Sequence, residues 1–182
     1  MRFVLLIVLV LNALCLRAQT TSNTVNVSIT MPQVALIDLL YSGSSNIKLS
    51  MVAPAEAGNA VGTGTANAST WLIFTSAVAA GSSRSIRGDV VGTLPAGIRL
   101  KLTVSPYAGT GQGFTGGKSY VTGNTYLTSA QTSFIDNIQG AYTGTEYGTS
   151  GFKLTYSLEI QNFASIRSGS STVTVRYTMS DN

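Results

Sequence analysis

Residues 151–160 read GFKLTYSLEI, and their apolar side chains recur at every second position. Successive side chains of a β-strand point to opposite faces of the sheet, so this spacing predicts a strand with one buried face. The same alternation recurs in four other segments of the chain, which are residues 25–31, 47–51, 98–104 and 173–179. Alternation over so much of the chain favours an all-β fold.

Other segments complete this prediction. A denser apolar run, WLIFTSAV at residues 71–78, is typical of a central strand covered on both faces, and SIRGDVV around Ile86 is a weaker strand pattern. QVALIDLLY, residues 33–41, fits a strand and a short helix about equally well. Gly, Ser, Thr and Asn predict loops at residues 53–69, 105–128 and 140–151. Roughly six to nine strands joined by such loops predict an antiparallel two-sheet β-sandwich rather than a closed barrel. Its expected core consists of Trp71, Ile73, Leu100, Leu102, Leu154, Tyr156, Leu158, Val173 and Val175.

The N-terminus has the pattern of a secretory signal peptide. Arg2 precedes the apolar run FVLLIVLVL at residues 3–11, which is too short to span a membrane as a helix. Cleavage after Ala18 predicts a signal peptide at residues 1–18 and a single sandwich domain at residues 19–182. The protein is therefore expected to be exported to the periplasm, the cell surface or the extracellular medium.

The only cysteine, Cys15, lies within this leader. A lipoprotein signal would use it as the lipidated residue, but Leu14 stands where such signals carry a small residue. Without Cys15 the mature chain has no disulfide, and its core alone must stabilise it.

Composition argues against an enzyme. The chain has no histidine and only 10% charged residues, so the side chains of most hydrolytic triads, thiol enzymes and zinc sites are missing. Its seven acidic residues show no spacing that favours a catalytic pair or a calcium site, so we predict no cofactor and no metal. The 11 basic residues are scattered singly, which predicts no nucleic-acid partner.

The two ends of the mature chain resemble each other. TVNVSITM at residues 24–31 and TVTVRYTM at residues 172–179 agree at five of eight positions. Two ordinary strands of one sandwich would explain this agreement. The alternative interpretation is that either segment can complete a groove in a neighbouring copy by strand addition.

Several stretches together resemble a known group of proteins: the first alternating strand, ASTWLIFTS at residues 68–76, GFKLTYSLEI, and the terminal TVTVRYTMSDN. They resemble the spore coat protein U group of secreted fimbrial-type β-sandwich proteins, related to archaic chaperone-usher pilins. The resemblance implies an immunoglobulin-like sandwich and, as in some members, polymerisation by donor-strand exchange. It also implies further copies or related subunits, a periplasmic chaperone and outer-membrane assembly machinery as partners.

Carried over to this chain, the resemblance makes Val25, Val27, Ile29 and Met31 the donor residues. The closing C-terminal strand would then contain Val173, Val175, Tyr177 and Met179. The expected function is that of a pilus or surface-structure subunit.

A second function remains open, that of a monomeric cell-surface adhesin or carbohydrate-binding module. Its candidate residues are the aromatic side chains in the Gly-rich middle of the chain, Tyr107, Phe114, Tyr120 and Tyr126. Aromatic faces at this spacing suit the rings of a glycan, although aromatic residues also pack loops onto a sheet.

Overall fold

A computed structural model of the chain describes residues 22–114 and 124–182. The chain divides into two units, Met1–Met31 and Pro32–Asn182, and every strand found in the described residues belongs to the second unit. The strands are β1 (Val34–Tyr41), β2 (Asn67–Ala77), β3 (Arg84–Val91), β4 (Ile98–Val104), β5 (Asn124–Leu127), β6 (Thr132–Ile138), β7 (Ala141–Tyr142), β8 (Phe152–Ile160) and β9 (Thr174–Asp181). Apart from these strands, the same residues contain one short 3-10 turn, Phe163–Ser165, and no α-helix. The predicted all-β class is confirmed.

The strands form two antiparallel sheets. The larger sheet has the order β1-β2-β8-β4-β5, and the short β7 also pairs with β2. The smaller sheet has the order β6-β3-β9. Edge strands β1 and β9 lie near each other on one lateral side of the sandwich, and β5 and β6 lie near each other on the other side.

The core lies between the two sheets. On β2 and β8 it is formed by Leu72, Phe74, Phe152, Leu154 and Tyr156, each at most 3% exposed. Leu72 pairs directly with Phe152, so both side chains point to the same face of the larger sheet. Leu100 and Leu102 are also buried, as the alternation of residues 98–104 predicts. Leu158, Val173 and Val175 are partly buried against this core.

Of the two predicted core residues of β2, Trp71 is buried as expected and Ile73 is partly buried, but neither lies in the layer between the two sheets. Leu72 and Phe74 point into the core, so Trp71 and Ile73 must point to the opposite face of the larger sheet. Trp71 is only 9% exposed, but it does not belong to the connected core between the sheets. The run at residues 71–78 is apolar at both parities, so its pattern identified a central strand without indicating which face points inward.

Strand positions agree with the prediction for residues 98–104 and 152–160, and residues 33–41 form a strand rather than a helix. Two alternating segments form no strand: residues 25–31 have none, and residues 47–51 are followed only by an isolated bridge between Val52 and Gly62. The predicted loop at residues 105–128 contains β5. The weaker pattern around Ile86 is β3, the middle strand of the smaller sheet.

Gly88 makes room for the packing of β9 on β3. It lies opposite Tyr177, and a Cβ atom at this position would lie 3.2 Å from side-chain carbons of Leu127 and Tyr177. The Tyr177 ring meets Phe134 edge-on, with a centroid distance of 5.4 Å and an interplanar angle of 76°. A strand residue without a side chain therefore lets one large ring cover the middle of the smaller sheet.

Arg84 joins both sheets at one end of the sandwich. Its side chain is 6% exposed, and its Nε donates to the carboxylate of Asp181 at 2.6 Å. Its Nη1 donates to the carbonyl oxygens of Val34 and Ala77. One buried cation thus connects the start of β1, the end of β2 and the end of β9, and these acceptors replace the water that it loses on burial.

We expect Arg84→Met to lower the free energy of unfolding by about 2–4 kcal/mol, because it removes several charge-assisted hydrogen bonds from a buried site. Urea unfolding at neutral pH measures this loss. The matched control is Asp181→Asn, which alters a side chain that is 71% exposed and should cost less than about 1 kcal/mol. Equal losses in the two variants would contradict this account of Arg84.

Candidate interaction site

The two lateral sides of the sandwich differ in how well they are closed. On the β5 and β6 side, the apolar side chains Leu127, Phe134, Ile135 and Ile138 are each at most 1% exposed. The core is therefore sealed where these two edge strands approach each other.

The β1 and β9 side is open. The core-facing residues of both strands, Ile37 and Leu39 on β1 and Val175, Tyr177 and Met179 on β9, are only partly buried. A cleft of about 230 Å³ lies between the strands and is lined by Ile37, Asp38, Leu39, Tyr41, Val175 and Tyr177. We call this cleft the edge groove. Its walls combine the apolar side chains of Ile37, Leu39 and Val175 with the polar groups of Asp38, Tyr41 and Tyr177.

The strands that border the edge groove run in opposite directions. Arg84 contacts both the first residue of β1, Val34, and the last residue of β9, Asp181. Tyr41 at the end of β1 lines the groove together with Val175 near the start of β9. A strand inserted between them would therefore be parallel to one border and antiparallel to the other.

Two tyrosine hydroxyls lie next to the edge groove. The hydroxyl oxygens of Tyr156 and Tyr177 are 2.7 Å apart and share a hydrogen bond. Burial raises the pKa of Tyr156 to about 12, and burial together with the neighbouring Tyr156 raises the pKa of Tyr177 well above its ordinary value. Both side chains therefore remain neutral at physiological pH.

The predicted donor residues are exposed. Val25, Val27, Ile29 and Met31 have exposed fractions between 75% and 84%. Residues 22–33 form no strand, so this alternating series lacks the sheet that its pattern predicts. Four large apolar side chains at alternate positions form what we call the apolar comb.

The predicted C-terminal residues lie on β9 and just before it. Val175, Tyr177 and Met179 pair with Val90, Gly88 and Ile86 of β3, and Val173 directly precedes the strand. In this position β9 forms one wall of the edge groove, and its second edge has no strand beside it in the described residues.

Tyr107 and Phe114, two candidates for glycan binding, are brought together by packing. Their rings are stacked with centroids 3.9 Å apart, and Phe114 also meets Phe74 and Phe152 at 5.9 and 6.0 Å. The Tyr107 hydroxyl donates to the carbonyl oxygen of Thr143 at 3.0 Å. These contacts pack residues 107–114 against one end of the core.

The other two glycan candidates lie elsewhere. Tyr126 belongs to β5, where the Arg99 guanidinium carbon lies 3.7 Å from its ring centroid and its hydroxyl donates to Glu159 at 2.9 Å. The hydrogen bond from Arg99, and to a lesser extent the one from Tyr126, lowers the pKa of Glu159. One face of the Tyr126 ring is thus covered by a cation, and Tyr120 lies outside the described residues.

Sequence reasoning missed the β1 wall of the edge groove. Its inward residues Ile37, Leu39 and Tyr41 alternate within VALIDLLY, and this alternation was the available signal. The outward-facing positions of β1 include the apolar residues Leu36 and Leu40, so the pattern did not indicate which face of the strand is buried.

The described parts of the chain contain no group of three or more His, Cys, Asp or Glu residues that could hold a metal ion. No helix in residues 22–114 or 124–182 is long and apolar enough to cross a membrane.

Comparison with family models, with curated proteins and with solved structures finds no match. The fold and the edge groove are therefore the basis for any assignment of function.

We expect the free energy of unfolding to be insensitive to Tyr156 and Tyr177 up to about pH 10 and to fall between about pH 10 and 12. Both folded-state pKa values exceed the unfolded value near 10, so unfolding releases tyrosine protons in this range, and each unit of pKa shift is worth about 1.4 kcal/mol. Urea unfolding as a function of pH measures the fall.

The control is the double variant Tyr156→Phe with Tyr177→Phe, which retains the rings but has no titrating hydroxyl. Its stability should depend less steeply on pH in this range. Identical pH profiles of stability for the variant and the wild-type protein would contradict the attribution of this fall to Tyr156 and Tyr177.

Proposed function

We propose that this chain is an exported structural subunit of a pilus or other surface structure, and that its copies assemble by β-strand addition. Residues 22–31 of one copy would enter the edge groove of the next copy. The observation that carries the proposal is the open side of the sandwich between β1 and β9, where core-facing residues are only partly buried.

The apolar comb matches this groove in pattern, and its length is close to that of the border strand β9. Alternate apolar residues present one apolar face, which is what a strand needs when it covers the core from the side. From Val25 to Met31 an extended chain spans about 20 Å, comparable to the length of the eight-residue strand β9. Each apolar side chain that becomes fully buried contributes about 1.5–3 kcal/mol to binding before the costs of association.

The backbone of the two border strands supports the same mode of binding. β1 pairs with β2 and β9 pairs with β3, which leaves the second edge of each strand available for hydrogen bonding. Strand addition supplies partners for such edges, and the side chains of the added strand determine specificity.

Strand order supports an immunoglobulin-like topology with one position vacant. The order β1-β2-β8-β4 corresponds to strands A, B, E and D of an immunoglobulin constant-type domain, and β3-β9 corresponds to C and F. The strand that would follow F, strand G, pairs beside F in that fold. The place beside β9 is the side of the edge groove.

Export rests on the leader pattern of residues 1–18. An open apolar edge also requires protection before assembly, because an uncovered edge invites non-specific pairing. A periplasmic chaperone and outer-membrane assembly machinery are the partners that would provide it in an exported subunit.

The second candidate function, glycan binding by a monomer, has no observation in its favour. Tyr107 and Phe114 use their ring faces in contacts with each other and with the core aromatic residues.

Assembly should depend on the apolar comb. We expect purified residues 19–182 to form SDS-resistant multimers, and Val27→Ser combined with Ile29→Ser to abolish them because the groove would then bury polar side chains. Size-exclusion chromatography and unheated SDS gels measure the multimers. The matched control, Asn26→Ser with Ser28→Ala, changes the intervening positions and should assemble normally.

Deletion of residues 19–31 offers a second readout. A peptide of residues 20–31 should raise the Tm of the truncated protein, and the same peptide with Ser at positions 27 and 29 should not. A wild-type protein that stays monomeric at high concentration and unfolds reversibly in one step would refute the proposal.

A further inference from the structure

The link between the apolar comb and β1 is very short. Only Pro32 and Gln33 separate Met31 from Val34, the first residue of β1. A parallel arrangement of two strands needs a connection of about a dozen residues or more. If a copy filled its own edge groove with its own comb, residues 22–31 would therefore have to form an antiparallel hairpin with β1.

A hairpin with a two-residue loop at Pro32 and Gln33 would turn the comb the wrong way. Met31 would pair with Val34, Ile29 with Leu36 and Val27 with Asp38. Directly paired residues share a face of the sheet, and Leu36 is 64% exposed on the face opposite to the groove residues Ile37 and Leu39. The comb would point outward, and Asn26 and Ser28 would point into the groove.

Pro32 also opposes this two-residue loop. The favoured two-residue hairpin turns require a positive φ at their first loop residue. Proline fixes φ near −65°, so Pro32 cannot adopt that conformation.

Three-residue loops would restore the correct face but meet a different obstacle. The common three-residue loop ends with a residue in the left-handed region, where Gly or Asn is favoured. A loop of residues 32–34 puts Val34 there, and β-branched residues strongly disfavour that conformation. A loop of residues 31–33 puts Gln33 in the left-handed position. It also puts Pro32 at position i+2 of the type I turn, where proline is disfavoured.

We infer that the link at residues 32–34 disfavours the tight hairpins by which a copy would fill its own edge groove, and so favours occupation of the groove by the comb of a second copy. This inference rests on the proposed function. A hairpin with β1 would run parallel to β9, because β1 and β9 run in opposite directions. Only the comb of another copy can pair antiparallel with β9, which is the more stable arrangement per residue.

The test is Val34→Gly in the full mature chain, residues 19–182. Glycine adopts the left-handed conformation readily, so residues 32–34 can then form the three-residue loop that places Ile29 opposite Ile37. We expect a monomer whose Tm exceeds by about 5 °C or more that of the same Val34→Gly chain carrying Val27→Ser and Ile29→Ser, which cannot fill its groove with apolar side chains. Val34→Ala is the control for assembly. The Val34→Ala protein loses the same side chain without gaining this freedom and should assemble as the wild-type protein does.

A second variant tests the parity of the pairing. Pro32→Asn with Gln33→Gly creates a favourable two-residue turn, but one that directs the comb away from the groove. This variant should still assemble. A stabilised monomer from Asn and Gly at these positions would overturn the inference.

Two further results would also overturn it: multimers of Val34→Gly equal to those of the wild type, or a Val34→Gly monomer with a Tm at or below that of the Val34→Gly chain carrying Val27→Ser and Ile29→Ser. Failure of the proposed function looks different. In that case the wild-type protein neither assembles nor responds to the 20–31 peptide, whereas the Tm difference between Val34→Gly with and without Val27→Ser and Ile29→Ser still reports closure within one copy.

Discussion

Two packed β-sheets share one apolar layer, and this layer must be sealed at both lateral edges. On the β5 and β6 side the seal is complete, with Leu127 and Phe134 inaccessible to solvent. On the β1 and β9 side no strand of residues 22–114 or 124–182 lies between the two sheets, and Ile37 and Tyr177 are only partly buried. This difference between the two sides leaves core-facing side chains of β1 and β9 partly accessible to solvent on one side only.

Much of the fold follows from local pattern. The apolar residues of β4, β8 and β9 alternate along the sequence, and burial follows that period through β4 and in the first half of β8, whereas the end of β8 and much of β9 are uniformly partly buried. The face of β2 that points into the core could not be predicted, because Trp71 and Leu72 are both apolar and both buried. Gly88 weakened the pattern of β3, yet its missing side chain is what accommodates Tyr177.

The candidate site could be predicted only in part. The apolar comb and the inward residues of β9 were identifiable, since alternation reveals a face that needs a cover. Alternation does not show which other strand packs against the apolar face. Residues 25–31 and β9 therefore have similar patterns although their surroundings differ. The β1 wall depends on strand order, which is set by pairings between residues far apart in the chain, such as Arg84 with Asp181.

The bare backbone at Gly88 also bears on the wall of the edge groove. The Tyr177 ring rests against this position from the opposite strand, and the same ring forms part of the groove wall. A larger residue at position 88 would meet this ring at 3.2 Å, so the ring would have to shift. A single residue in the middle of the smaller sheet thus helps to fix the position of a side chain at the edge of the sandwich.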